Sequence, residues 1–278
     1  MTIKELYEDT LKKAQLLGIE KSTIDILFEE VNGFNNVVEL NLNLHNEMKE
    51  EGRFYKLLNG LFNGQPIQYL INKGYFYGYE YYVDNRVLIP RPETEELVEK
   101  VLTCIDNYSH PTVIDICSGS GCIGLTLKQQ HNDMNLYLSD LSLDALQVIK
   151  VNQNRFNVKC DIVSSDLLEY FISNNIKCDI LTCNPPYISK DEEIDDIVKN
   201  NEPLMALIPP SGDGLELYIK IFKQLPLVLN KQGRAFFEIG CSQKEKLIGI
   251  IQQMLPLVEY NFYKDIEKKD RILEILMR

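Results

Sequence analysis

Asn184-Pro185-Pro186-Tyr187 follows directly on Cys178-Asp179-Ile180-Leu181-Thr182-Cys183, a run with the texture of a buried strand. The consecutive prolines fix φ, and Pro186 holds Pro185 extended, so this turn is rigid before any ligand arrives. Proline also offers a carbonyl acceptor without a competing N–H. The Asn184 side-chain oxygen and the Pro185 carbonyl are therefore suited to take both N–H bonds of a planar –NH2 group, in a carboxamide or on a base. Such a nitrogen is a poor nucleophile because its lone pair is delocalised. Gripped by two acceptors, it pyramidalises more readily as positive charge develops on it, and no strong general base is required. Tyr187 adds an aromatic face for the flat group and for a neighbouring cation.

A second cluster lies 63 residues earlier, counted from Gly121 to Asn184. Val113-Ile114-Asp115-Ile116-Cys117-Ser118-Gly119-Ser120-Gly121-Cys122-Ile123-Gly124 reads as a buried strand, a small-residue turn and a helix start, and its glycines satisfy Gly-x-Gly-x-x-Gly. Glycines let backbone approach a ligand closely, and the helix N-terminus presents free N–H groups. Asp140 closes the next predicted strand, 19 residues after Gly121, where a carboxylate accepts both hydroxyls of a ribose. Together these predict an adenosine-containing cofactor. NAD and S-adenosylmethionine both remain open on the loop alone. Asp115 favours the second, because a carboxylate beside the loop suits a cationic amino group better than a pyrophosphate. With that cofactor the gripped nitrogen would face a sulfonium methyl.

These residues need a scaffold, and the sequence predicts one in two textures. Up to about residue 70, apolar residues recur at helical spacing. Ile3, Leu6, Leu11, Ala14 and Leu17 form one stripe ending at Gly18; Ile24, Leu27, Phe28 and Val31 form another, capped by Ser22 or Thr23 and ended by Gly33. A third covers Glu47 to Phe62. The aromatic segment from Gly74 to Ile89 predicts a β-hairpin, its rings serving as core and not as a base-stacking stripe, since no Lys or Arg is interleaved. Beyond Pro92, predicted strands at Thr112–Cys117, Asn135–Asp140, Cys160–Ser164, Cys178–Cys183 and Arg234–Ile239 alternate with helical stretches such as Ser142–Phe156 and Gly214–Leu229. That alternation implies an α/β fold with a mostly parallel sheet. Leu257–Tyr263 and Ile272–Met277 are too closely joined for a crossover helix and should form an antiparallel C-terminal hairpin. The expected organisation is a helical N-terminal domain over residues 1–72, a β-hairpin linker over 73–90 and a catalytic domain over 91–278.

The 278 residues carry 29 Lys and Arg against 41 Asp and Glu, a formal net charge of -12 that lowers the expectation of a dedicated nucleic-acid binder. Seven cysteines without a Cys-x-x-Cys pair, and three scattered histidines, argue against a disulfide frame or a metal cluster. No apolar run is long enough to span a bilayer and the first residues hold no signal core, so the expected compartment is the cytoplasm.

With both motifs placed, the chain resembles the class I S-adenosylmethionine-dependent methyltransferases of the Asn-Pro-Pro-Tyr group, with their Rossmann-like seven-stranded sheet. More narrowly it resembles the protein-glutamine methyltransferases of peptide chain release factors. That narrower likeness rests on Gly64-Gln65-Pro66-Ile67-Gln68-Tyr69-Leu70, on Leu88-Ile89-Pro90-Arg91-Pro92-Glu93-Thr94-Glu95, and on Glu202-Pro203 with Ala206-Leu207. Gly212-Asp213-Gly214-Leu215, Phe237-Glu238-Ile239-Gly240 with Gln243, and Lys269-Asp270-Arg271 complete it. The resemblance implies methylation of the glutamine amide in a Gly-Gly-Gln loop, with S-adenosylmethionine as cofactor, S-adenosylhomocysteine as product and no metal. It places the cofactor on Asp115, Cys117, Ser118, Gly119, Ser120, Gly121, Asp140, Asp166, Leu167 and Asn184. The substrate glutamine falls to Asn184, Pro185, Pro186 and Tyr187, which form the expected catalytic group, with Arg91 and Glu93 shaping the substrate side.

On physical grounds alone, Pro92 is an equally good first helical residue with Glu93 and Glu95 complementing the helix dipole. The implied partner is a release factor docked with help from the helical domain. Neither nucleic acid nor membrane is an expected partner, and a monomer is expected. Two departures stand out. Cys117 occupies a usual glycine position, which predicts that this residue needs no positive φ, and Leu167 is aliphatic where many relatives carry an aromatic residue against adenine. Methylation of a ribosomal protein glutamine, or of adenine N6 or guanine N2, remains the alternative.

Overall fold

Thr2 and Glu5 open the chain with a reciprocal capping box: Glu5 N–H donates to the Thr2 hydroxyl at 3.3 Å and Thr2 N–H to the Glu5 carboxylate at 3.0 Å. They start α1 (Ile3–Leu16), whose buried face carries Ile3, Leu6, Tyr7 and Ala14. The second stripe becomes α2 (Lys21–Asn32), ended by Gly33 at φ 70°. Glu20, not Ser22 or Thr23, is its N-cap and makes no side-chain cap bond. Two short helices, α3 (Val37–Leu42) under an Asn36 cap and α5 (Ile67–Ile71) after Pro66, flank α4 (Glu51–Phe62), which begins four residues later than its apolar pattern suggests. Phe28 joins the helices, its ring 5.1 Å from Tyr7 and 4.9 Å from Phe54. The computed structural model describes residues 1–278 and divides into two compact units, this helical one (Met1–Lys73) and a larger one (Gly74–Arg278).

The larger unit begins with a hairpin of β1 (Gly74–Phe76) and β2 (Tyr79–Tyr81). Phe76 and Tyr81 are buried, and the Tyr81 hydroxyl lies 2.7 Å from that of Thr126. Helix α6 (Pro92–Ile105) follows, then β3 (Thr112–Ile116), α7 (Cys122–Gln130), β4 (Asn135–Asp140), α8 (Leu143–Phe156), β5 (Asp161–Ser164), α9 (Glu169–Ser173) and β6 (Cys178–Cys183). The chain continues through α10 (Asp196–Asn201), a 3-10 turn (Leu204–Ala206), α11 (Glu216–Val228), β7 (Leu229–Glu238), α12 (Lys244–Met254), β8 (Glu259–Lys264) and β9 (Asp270–Leu276).

Seven strands form one sheet in the order β5-β4-β3-β6-β7-β9-β8, with β5 to β7 parallel and β9 antiparallel to both neighbours. The central strands are buried on both faces, as their continuous apolar runs require. Val113, Ile114, Ile116, Ile180, Leu181 and Cys183 have no solvent exposure. Each fully buried Ile or Leu there stabilises by roughly 1.5–3 kcal/mol relative to exposure. Strand β7 starts five residues ahead of the expected Arg234, across a register shift opposite Cys178–Ile180. The chain leaves β3 toward β4 and β5, then returns to the other side of β3 as β6. That reversal opens a crevice at the carboxyl ends of β3 and β6, where open α/β sheets bind ligands.

Candidate active site

Parallel pairing sets Ile116 of β3 opposite Cys183 of β6, so Cys117 and Asn184 leave neighbouring strand ends together. This register brings the glycine loop and the proline tetrapeptide to one place despite their separation in sequence. Below them Asp115 faces Thr182, whose hydroxyl donates to the Asp115 carboxylate at 2.7 Å. The other Asp115 oxygen takes the Gly124 N–H at 3.3 Å. Burial pushes the Asp115 carboxyl up to about 7.

The glycine loop is cross-braced. Ser118 donates its hydroxyl to the Asp115 carbonyl at 2.7 Å and accepts from Ser139 N–H at 3.1 Å. Asp140, at the end of β4, takes the N–H groups of Gly119 and Ser142, each at 2.9 Å. Burial raises its pKa. Gly119 sits at φ 54°, and an added Cβ there would meet nothing within 4 Å. Gly124 matters for the opposite reason: its Cβ would lie 2.3 Å from the Leu138 side chain, so only glycine lets α7 pack on β4. Cys117 corrects the expectation drawn from its missing glycine. Its φ is 54°, in the left-handed region, so the turn keeps the backbone of a glycine and the side chain carries the strain.

Two cavities meet at this crevice. The first, of about 350 Å³, is lined by Cys117 to Ser120, Asp140, Asp166, Leu167, Asn184 and Pro186, among others. The second, of about 290 Å³, takes in Pro185, Tyr187, Ile188, Glu193 and Asp195. Leu88, Arg91, Asn184 and Ala206 line both. Most of the predicted site residues thus lie around these two adjoining cavities. Asp115, Gly121 and Glu93 line neither cavity. Asp115 is wholly buried beneath the loop, Gly121 is the N-cap of α7, and Glu93 lies in the first turn of α6 behind Pro92. In these places Asp115 supports the loop, Gly121 caps α7 and Glu93 complements the dipole of α6.

Four supporting residues carry no assigned role in the sequence analysis. Buried Glu202 binds Arg91 at 2.5 Å and the Ile89 N–H at 3.1 Å, fixing the cation shared by both cavities. Gln243, also buried, donates from Nε2 to the carbonyls of Tyr187 and Gly214, each at 2.9 Å, clamping the far end of the tetrapeptide. Thr94 donates to the Glu238 carboxylate at 2.5 Å and accepts from Asn184 Nδ2 at 3.3 Å. Tyr187 donates its hydroxyl to the other Glu238 oxygen at 3.0 Å. Burial raises the pKa of Glu238 and also that of Tyr187. The sequence signals for these four residues were their places in the segments that carry the family resemblance and, for Glu238, an acidic residue interrupting the apolar run Ala235-Phe236-Phe237-Glu238-Ile239.

Sheet order, crevice and paired loops together define a class I methyltransferase. A family model, the methyltransferase small domain, matches residues 96–201. Release factor glutamine methyltransferase of Bacillus subtilis is 38% identical over 216 residues, covering 76% of this chain and 75% of that one. Its Staphylococcus aureus counterpart is 31% identical over 274 residues, covering 97% of each chain, so the likeness extends into the helical unit. Among solved structures, the 16S rRNA N2 G1207 methyltransferase of T. Thermophilus shares the fold with a TM-score of 0.53 at 15% identity, covering 74% of this chain and 50% of that one. The chain belongs to the release factor glutamine methyltransferase family.

Proposed function

We propose that this protein transfers a methyl group from S-adenosylmethionine to the side-chain amide nitrogen of the Gly-Gly-Gln glutamine in peptide chain release factors. The observation that carries the reading is the position of Asn184 in the wall common to two cavities. One cavity has the features an adenosyl cofactor needs: open space over Gly119, and a carboxylate at Asp140 with lone pairs left beyond its two backbone bonds. Apolar Leu167 offers contact to adenine without stacking. The other cavity, lined by Pro185 and Tyr187, has room for a glutamine side chain. When bound, S-adenosylmethionine supplies an electrophilic methyl on a sulfonium centre.

The chain's own residues do the remaining work. Asn184 Oδ1 and the Pro185 carbonyl accept the two amide N–H bonds and stabilise positive charge developing on nitrogen. The proline pair keeps that grip stiff, so little reorganisation is needed at the moment of transfer. Tyr187, tethered to Glu238, presents its ring to the flat amide. Arg91, fixed by Glu202, stands at the junction of the two cavities and shapes the substrate entrance. In this reading the helical unit over residues 1–73 recognises the body of the release factor, and the enzyme works in the cytoplasm as a monomer. No helix is long and apolar enough to cross a membrane.

Two substitutions separate the roles. Asn184→Ala should lower turnover at least ~10²-fold, the scale of one transition-state hydrogen-bonding group, while cofactor affinity changes little. Asp140→Ala should weaken cofactor binding first. Isothermal calorimetry with S-adenosylhomocysteine beside steady-state rates reads both. Normal turnover in the first variant, or unchanged affinity in the second, contradicts the assignment.

A further inference from the structure

An asparagine amide has two orientations of nearly equal shape, related by a half-turn about its last side-chain bond. At Asn184 only one of them presents oxygen to an incoming amide nitrogen. The other would set N–H against N–H and repel the substrate. We propose that Thr94 and Glu238 are positioning residues that fix this choice, holding Asn184 with Oδ1 toward the substrate and its NH2 group turned away. The inference deepens the proposed function and rests on it.

The logic is a count of protons. A threonine hydroxyl has one proton to donate and lone pairs to accept with. An ionised carboxylate can only accept. The Thr94 hydroxyl lies 2.5 Å from Glu238 Oε2 and donates to it, so with Glu238 acting as the ionised carboxylate the threonine proton is committed there. What Thr94 can still offer Asn184, at 3.3 Å, is a lone pair, and a lone pair calls for Nδ2. The amide oxygen is thereby left facing the cavities. The second Glu238 oxygen receives the Tyr187 hydroxyl at 3.0 Å, so one carboxylate orders both ends of the tetrapeptide.

The surroundings suit that role. Glu238 is 3% exposed and Thr94 3%, so water does not compete for these bonds. The Glu238 carbonyl accepts from the Tyr218 hydroxyl at 2.7 Å, which ties the end of β7 in place. A carboxylate buried this deeply is costly, and an apolar residue of similar size would generally be more stable in a sheet core. Its bonds to two residues of the site supply the functional reason for keeping it. The relay also links the start of α6 to the end of β7.

Thr94→Val removes the hydroxyl at nearly constant volume, and Thr94→Ser keeps it. In Glu238→Gln the new amide can donate to Thr94, which frees the threonine proton to turn Asn184 around. With release factor as acceptor, kcat should fall about tenfold or more in Thr94→Val and in Glu238→Gln, within the loss seen for single transition-state hydrogen-bonding groups. KM for the release factor and the dissociation constant for S-adenosylhomocysteine should stay within about threefold. Thr94→Ser should recover most of the turnover, and the double variant should be no slower than the slower single one, as expected of residues acting in one chain.

A Thr94→Val enzyme with wild-type kcat overturns the relay, as does a loss confined to cofactor affinity or KM. Should Glu238→Gln fail to fold, the valine and serine pair still decides the matter. Asn184→Ala run in parallel separates the two levels of the account. If it keeps its activity, the proposed function fails. If it is inactive while Thr94→Val is normal, only the relay fails.

Discussion

Asp115 illustrates what a single residue reveals only after folding. Its place before the glycine loop suggested a partner for a cationic ligand; folding adds that its oxygens bind Thr182 and Gly124 beneath the loop. The carboxylate braces β3 against β6 and α7, and burial moves its pKa from 3.8 to about 7. Between those values the native state holds a proton that the unfolded chain has released. This contribution to stability therefore declines as pH rises from about 4 to about 7, and is level above that. Asp115→Asn has no such proton to lose. Denaturant unfolding from about pH 5 to about pH 8 should show the wild type losing ground to this variant until about pH 7, with a constant gap beyond. A gap independent of pH would contradict the raised value. Asp140 and Asn184 were legible because they close strands whose patterns are plain. Thr94 and Glu238 stood in the quoted family segments without a role, because their meaning lies in a bond between residues 144 positions apart.

At the scale of elements, long apolar periodicities gave the strands and the longer helices to within a few residues. The short α3 and α5 span too few turns to show a period, and the early start of β7 depends on pairing with Cys178. Of the hairpin's rings, Phe76 and Tyr81 serve as core, as expected, whereas Tyr75 is exposed; the Tyr81 hydroxyl reaches Thr126 of α7, and the Tyr82 backbone N–H donates to Asn152 of α8 at 2.7 Å. The α7–β4 contact offers a sharp test. Gly124→Ala places a methyl 2.3 Å from the fully buried Leu138, so α7 must move away from the sheet. Overpacking of this kind costs ~1–3 kcal/mol, which thermal or denaturant unfolding should register as a clear loss of stability. An unchanged unfolding midpoint would mean that the helix is not seated by this glycine.

For the whole molecule, the change from helical periodicity to the aromatic segment that begins at Gly74 coincides with the division between the units. Net charge is informative about partners more than about fold. A formal net charge of -12 lowers the expectation of binding to phosphate backbones over a broad surface and is in keeping with a protein acceptor. Where the transferred methyl ends up tests this most directly. The full chain would be incubated with isotope-labelled S-adenosylmethionine and, in separate reactions, a release factor, ribosomes and DNA, and the products mapped by tandem mass spectrometry. The account predicts one labelled methyl on the amide nitrogen of the Gly-Gly-Gln glutamine of the release factor, and none with the Asn184→Ala variant. Label on a ribosomal protein or on a nucleobase amine, with the release factor unmodified, would contradict it.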